Sequence, residues 1–80
     1  MHELGVLTSA VKTVSDVAKK NGVKKVKFMT LQVGAESTFV PAFMEKLFPA
    51  AKENYPLLKH AELKIEIIPG KSLVIKEIGF

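Results

Sequence analysis

Ala61-Glu62-Leu63-Lys64-Ile65-Glu66-Ile67-Ile68-Pro69-Gly70-Lys71-Ser72-Leu73-Val74-Ile75-Lys76-Glu77-Ile78 reads as two strands and the turn between them, and it decides the class of the fold. Leu63, Ile65 and Ile67 alternate with Glu62, Lys64 and Glu66, the period-two pattern of a strand with one buried face. Pro69-Gly70 is a turn dipeptide, since proline pre-sets φ and glycine supplies the positive φ of a type II turn. Leu73 to Ile78 returns as a further strand, and the connection at 69–72 reads as a tight hairpin. Leu73 and Ile75 share a face, whereas Ile78 falls out of phase. A bulge near Lys76-Glu77 would return Ile78 to the core.

Upstream of this pair, Leu4, Leu7, Val11, Val14 and Ala18 recur at spacings of three and four, the apolar face of a helix over about residues 3–20. Asn21-Gly22 stops it, with Gly22 suited to the left-handed position after the helix end. Val26 to Val33 reads as a strand with Met29, Leu31 and Val33 on one side and Phe28, Thr30 and Gln32 on the other. Pro41 suits the first turn of a second helix, whose apolar stripe is Val40, Phe43, Met44, Leu47 and Phe48. Pro49 is expected to kink or end that helix, and Pro56 closes the segment. The order is α-β-α-β-β, an α+β fold in which two helices pack on one face of a three-stranded sheet.

Eighty residues, almost half of them apolar, make a single domain (1–80) near the lower limit for a self-sufficient core. The absence of cysteine excludes disulfides, thiolate zinc sites and cysteine catalysis within this chain. No apolar run approaches a membrane span and no signal-peptide pattern opens the chain, so a cytoplasmic, membrane-free protein is expected. The net charge is +4, with Lys19, Lys20, Lys24, Lys25 and Lys27 around one turn. The chain has no arginine and no aromatics interleaved with these lysines, so they read as a solvated helix end and not as a nucleic-acid site.

Met1-His2-Glu3-Leu4 opens the chain and carries its most specific chemistry. A terminal amine and the His2 amide nitrogen close a five-membered ring around a metal, and that amide with His2 Nδ1 closes a six-membered one. Such a nitrogen-rich set suits a square-planar divalent ion such as Ni(II) or Cu(II). Glu3 offers its own amide as a fourth nitrogen, or its carboxylate to the ion or to the imidazole. An amide must lose its proton to ligate. A helix start favours this, because its first N–H groups lack intrahelical acceptors and the positive end of the macrodipole stabilises an amidate. A second residue as large as His2 is expected to keep Met1 in place in the cell. The plain alternative is a ragged terminus in which Glu3 merely complements the first helical turn.

Other candidates are weaker. His60 reads as a surface loop residue, and Met29 and Met44 as core packing. Ser9, Ser15 and Ser37 have no histidine and carboxylate at recognisable spacing, and no phosphate loop is present, so no enzyme is expected.

Met1-His2-Glu3-Leu4, Thr30-Leu31-Gln32-Val33-Gly34 and Ala61-Glu62-Leu63-Lys64-Ile65-Glu66, taken in order, resemble the HypA/HybF family of hydrogenase nickel metallochaperones, which in some bacteria also serve urease. The resemblance implies that Ni(II) is held by the Met1 amine, the His2 amide and imidazole, and the Glu3 amide. It also implies a maturation GTPase as partner and a NiFe hydrogenase large subunit as recipient. Family members carry a zinc module with two Cys-x-x-Cys pairs between the last two strands. Here Ile67-Ile68-Pro69-Gly70 runs directly into Lys71-Ser72-Leu73, so no zinc site is expected in this chain. The competing expectation is an interaction module without metal, anchored by an exposed Phe39 or Phe80. Two sheet edges leave room for a monomer or a weak strand-exchanged dimer.

Overall fold

The computed structural model describes residues 2–80, with His2 described in its backbone only. Helix α1 (His2–Lys20) leads to strand β1 (Phe28–Gly34), helix α2 (Pro41–Ala51), a 3-10 turn (Pro56–Leu58), strand β2 (Glu62–Ile68) and strand β3 (Leu73–Gly79). Leu7, Val11, Val14 and Ala18 of α1 and Met44, Phe48 and Ala51 of α2 join Met29, Leu31 and Val33 of β1 in one buried core. The two-helix, three-stranded α+β arrangement expected from the sequence is the one observed.

α1 ends where Asn21-Gly22 predicts. Gly22 has φ +70, and its N–H donates to the Lys19 carbonyl while the Val23 N–H reaches back to Ala18 at 2.9 Å. This pair of bonds is a Schellman ending, which satisfies carbonyls that the last turn leaves without partners. β1 begins two residues later than expected. The Val26 and Lys27 N–H groups donate instead to Leu57 and Gly79, at the rim of the sheet. Pro49 does not end α2, which continues to Ala51. Proline removes one helical bond but adopts helical φ, and so close to the helix end the disturbance is small.

The sheet order is β2-β1-β3, with β1 parallel to β2 and antiparallel to β3. The tight hairpin expected at 69–72 is therefore corrected: β2 and β3 never pair, and their connection arches over the exit of β1. The arch is bonded to what it crosses. Gly34 N–H donates to Ser72, Ala35 N–H to Ile68, and Glu36 N–H to Gly70, at 2.7, 2.7 and 2.8 Å. Gly70 has φ +95, the conformation that the Pro-Gly turn requires. The predicted bulge is present: Thr30 pairs Glu77 and Leu31 pairs Ile75, leaving Lys76 extra. Ile78 thereby regains the side of Leu73 and Ile75, packed against the core.

The face of the sheet away from the helices is polar. Lys76 Nζ binds both Glu66 carboxylate oxygens, at 3.0 and 2.9 Å, and Gln32 Nε2 donates to Glu66 Oε1 at 3.3 Å. Lys64 Nζ lies 4.1 Å from the centre of the Phe28 ring.

Candidate metal centre

α1 begins at His2, so the backbone N–H groups of its first turn, that of Glu3 included, have no acceptor within the helix. Glu3 also sits at the positive end of the α1 dipole. Its carboxylate is turned to a different task. Glu3 Oε2 accepts the Val40 N–H at 3.2 Å, tying the start of α1 to the start of α2. Val40 is the residue that precedes α2, and that helix has no side-chain cap of its own. Ser37, one candidate for the role, donates its hydroxyl to the Gly34 carbonyl at 2.7 Å instead. One carboxylate thus stands against the positive ends of two helices.

Of the two ways in which Glu3 could serve a metal, the carboxylate is engaged with Val40, and the amide remains on the unpartnered first turn. Met1 and the His2 side chain, the rest of the expected ligand set, lie outside the described residues. Among the described residues, no three His, Asp or Glu side chains gather at metal-ligating distance. His60 is an exposed residue ahead of β2, at the end of the molecule where α1 finishes. A 19-residue helix is about 28 Å long, so His60 does not join Glu3.

Glu3 lies beside an apolar surface that periodicity did not isolate. A depression of about 210 Å³ is lined by Glu3, Phe43, Lys46 and Leu47. Phe43 is 56% exposed, and Leu4 and Val40 are exposed as well. The single broad stripe read on α2 is in fact two lines. Met44, Phe48 and Ala51 bury, while Val40, Phe43 and Leu47 run alongside them at the same three-four spacing and stay partly or wholly exposed. Splitting the stripe by that spacing would have found the second line. Phe39, expected as an exposed anchor, is half-buried against the core, whereas Phe80 is exposed.

The family model for "Hydrogenase/urease nickel incorporation, metallochaperone, hypA" matches residues 1–73. The hydrogenase maturation factor HypA of Deinococcus radiodurans is 34% identical over 70 residues, covering 88% of this chain and 58% of that protein. The Moorella thermoacetica factor is 35% identical over 69 residues, 86% of this chain and 60% of its own length. That of Ignicoccus hospitalis is 35% identical over 81 residues, 99% and 57%. The chain thus spans somewhat under two thirds of these relatives. The solution structure of the nickel metallochaperone HypA from Helicobacter pylori superposes with a TM-score of 0.76 at 19% identity, covering 96% of this chain and 88% of that one. At that identity the likeness concerns the fold.

Proposed function

This chain belongs to the HypA family of nickel-incorporation metallochaperones, and from that membership we propose that it is the nickel-holding part of a NiFe hydrogenase maturation factor. It carries an ion and hands it on, and turns over no substrate. The ligand set we assign is the Met1 amine, the His2 amide and imidazole, and the Glu3 amide, with Ni(II) as cargo. The observation that carries this reading is the engagement of the Glu3 carboxylate with the Val40 N–H. It ties the start of α1 to Val40 through one carboxylate oxygen, while the Glu3 amide sits in the first helical turn, where a helix offers it no acceptor. A set of separate nitrogen donors can be exchanged one at a time for those of a recipient, which suits transfer.

The delivery step we assign is to a hydrogenase large subunit, with a maturation GTPase as partner, in the cytoplasm. Among the described residues no helix is long and apolar enough to cross a membrane. Service to urease is the same chemistry with a different recipient. The chain contributes no cysteine, so nickel here is held without a thiolate.

The test is a Ni(II) titration of the untagged protein, followed by d–d absorption, beside a sample with one extra residue before Met1. A one-to-one square-planar signal that disappears on extension, and also in His2→Ala, is the expected result. Equal binding by both samples moves the site away from the terminus.

A second reading rests on the exposed Val40, Phe43 and Leu4 beside Glu3. In it, the chain docks a maturation partner through this apolar surface and holds no metal. Wild-type protein that binds such a partner but shows no nickel above background would favour it.

A further inference from the structure

The other end of α1 carries most of the charge asymmetry of the molecule. α1 ends there, β1 and β2 begin there, and β3 finishes there, as the register Phe28↔Glu62 and Phe28↔Gly79 requires. This convergence brings a distant segment to the lysines that follow α1. The Val26 N–H donates to Leu57 and the Glu62 N–H to Lys27, so Lys59 comes to the same pole as Lys19, Lys20, Lys24, Lys25 and Lys27. All six are exposed. None has a carboxylate within ion-pair distance among the described residues, where the ion pairs are Lys12–Asp16 and Lys76–Glu66. Lys52, at the same pole, bonds the Lys59 and Ala61 carbonyls. Against these seven lysines the segments that meet here, residues 19–28 and 51–62, hold only Glu53 and Glu62. The other five lysines face six carboxylates, so the net positive charge of the chain resides at this one pole.

We propose that this lysine pole is an electrostatic docking surface for a carboxylate-rich face of a partner protein. Unpaired like charges in one place repel one another, and a complementary anionic surface relieves that repulsion and steers encounter. The composition favours an acidic protein over a nucleic acid. Every cation is a lysine, a hydrated point charge without the planar fork that grips phosphate and bases. The surface lies about 28 Å, one length of α1, from the start of that helix. A partner held here leaves the first turn of α1 uncovered, which matters for transfer only on the nickel reading above; the docking itself does not rest on it.

The experiment uses a fluorescent 20-residue poly-glutamate peptide and anisotropy at about 50 mM and about 200 mM salt. Two variants of equal net charge are compared: Lys20→Glu/Lys24→Glu/Lys25→Glu at the pole and Lys12→Glu/Lys46→Glu/Lys71→Glu elsewhere. Wild type is expected to bind, the pole variant to lose at least about tenfold in affinity, and the charge-matched variant to change by less than about threefold. Equal losses in the two variants, or no binding by wild type at the lower salt, overturn the proposal. So does tighter binding of a single-stranded DNA 20-mer or of vesicles containing phosphatidylserine, which would give the pole to nucleic acid or to membrane. Circular dichroism melts confirm that both variants fold. Nickel titration of the pole variant separates the two readings, since a retained one-to-one signal accompanies lost docking only if the functions are distinct.

Discussion

Gly34, the last residue of β1, lies against the backbone of Gly70 in the arch between β2 and β3. A Cβ placed on Gly34 would sit 2.7 Å from the Gly70 carbonyl carbon and 2.8 Å from that of Lys71. The neighbours are main chain, themselves held by the Gly34, Ala35 and Glu36 N–H groups, so they cannot swing aside. This contact is what lets two strands adjacent in sequence part around a third.

Gly34→Ala is therefore expected to destabilise the fold by about 2–4 kcal/mol, through displacement of the arch. Gly79→Ala meets only the Phe28 side chain, which can rotate, and is expected to cost about 1–2 kcal/mol. Urea unfolding of both variants checks the ranking, and a Gly34→Ala protein as stable as wild type would contradict the arch.

Glu3→Ala removes the tie to Val40 but retains the Glu3 amide. It is expected to lower stability by about 0.5–1 kcal/mol, as loss of a charged group at a helix start does. One-to-one nickel binding should persist. Loss of nickel in this variant, with retention of the fold, would make the carboxylate a ligand.

Ser15 is 1% exposed in α1, and its hydroxyl has no hydrogen-bond partner among the described residues. A hydroxyl buried without a partner is desolvated without compensation, and alanine is the better helix former. Ser15→Ala is expected to stabilise by about 0.5–1 kcal/mol, read as a higher urea midpoint at unchanged slope. A drop in the midpoint would mean that the hydroxyl has a partner in solution.

The hydrogen bonds from Lys76, and then that from Gln32, hold the Glu66 carboxyl below the usual carboxylate range. A carboxyl depressed in the folded state contributes stability above its unfolded pKa and loses it as pH falls through the folded value. The contribution is small at so exposed a pair and fades with salt. In Lys76→Met the Glu66 titration, followed by carboxyl carbon NMR, is expected to move up towards the ordinary range. An unmoved midpoint would show that the pair does not persist in water.

Oligomeric state has its own check, since β2 and β3 are both edges of the sheet. A single monomer-mass peak in size-exclusion chromatography across concentrations is expected, and a concentration-dependent dimer would point to exchange of the β3 strand.

Local pattern determined much of this protein. The three-four spacing of Leu7, Val11, Val14 and Ala18 specified α1, and Gly22 its end, because both are properties of neighbouring residues. The phase error at Ile78 specified the bulge, since period-two alternation permits no other way to bury it. The opening tetrapeptide gave the candidate donors by covalent proximity alone. Tertiary structure decided the rest. Pairing order depends on which strand can be enclosed on both sides: β1, with no charged residue from Phe28 to Gly34, takes the centre, while β2 and β3 keep their Glu and Lys side chains at the edges. The task of the Glu3 carboxylate was likewise out of reach, because Val40 is 37 residues away and only the packing of α1 on α2 brings them together. The gathering of Lys59 with the lysines after α1 has the same cause: burial of the core fixes where strand ends meet, and separation along the chain does not.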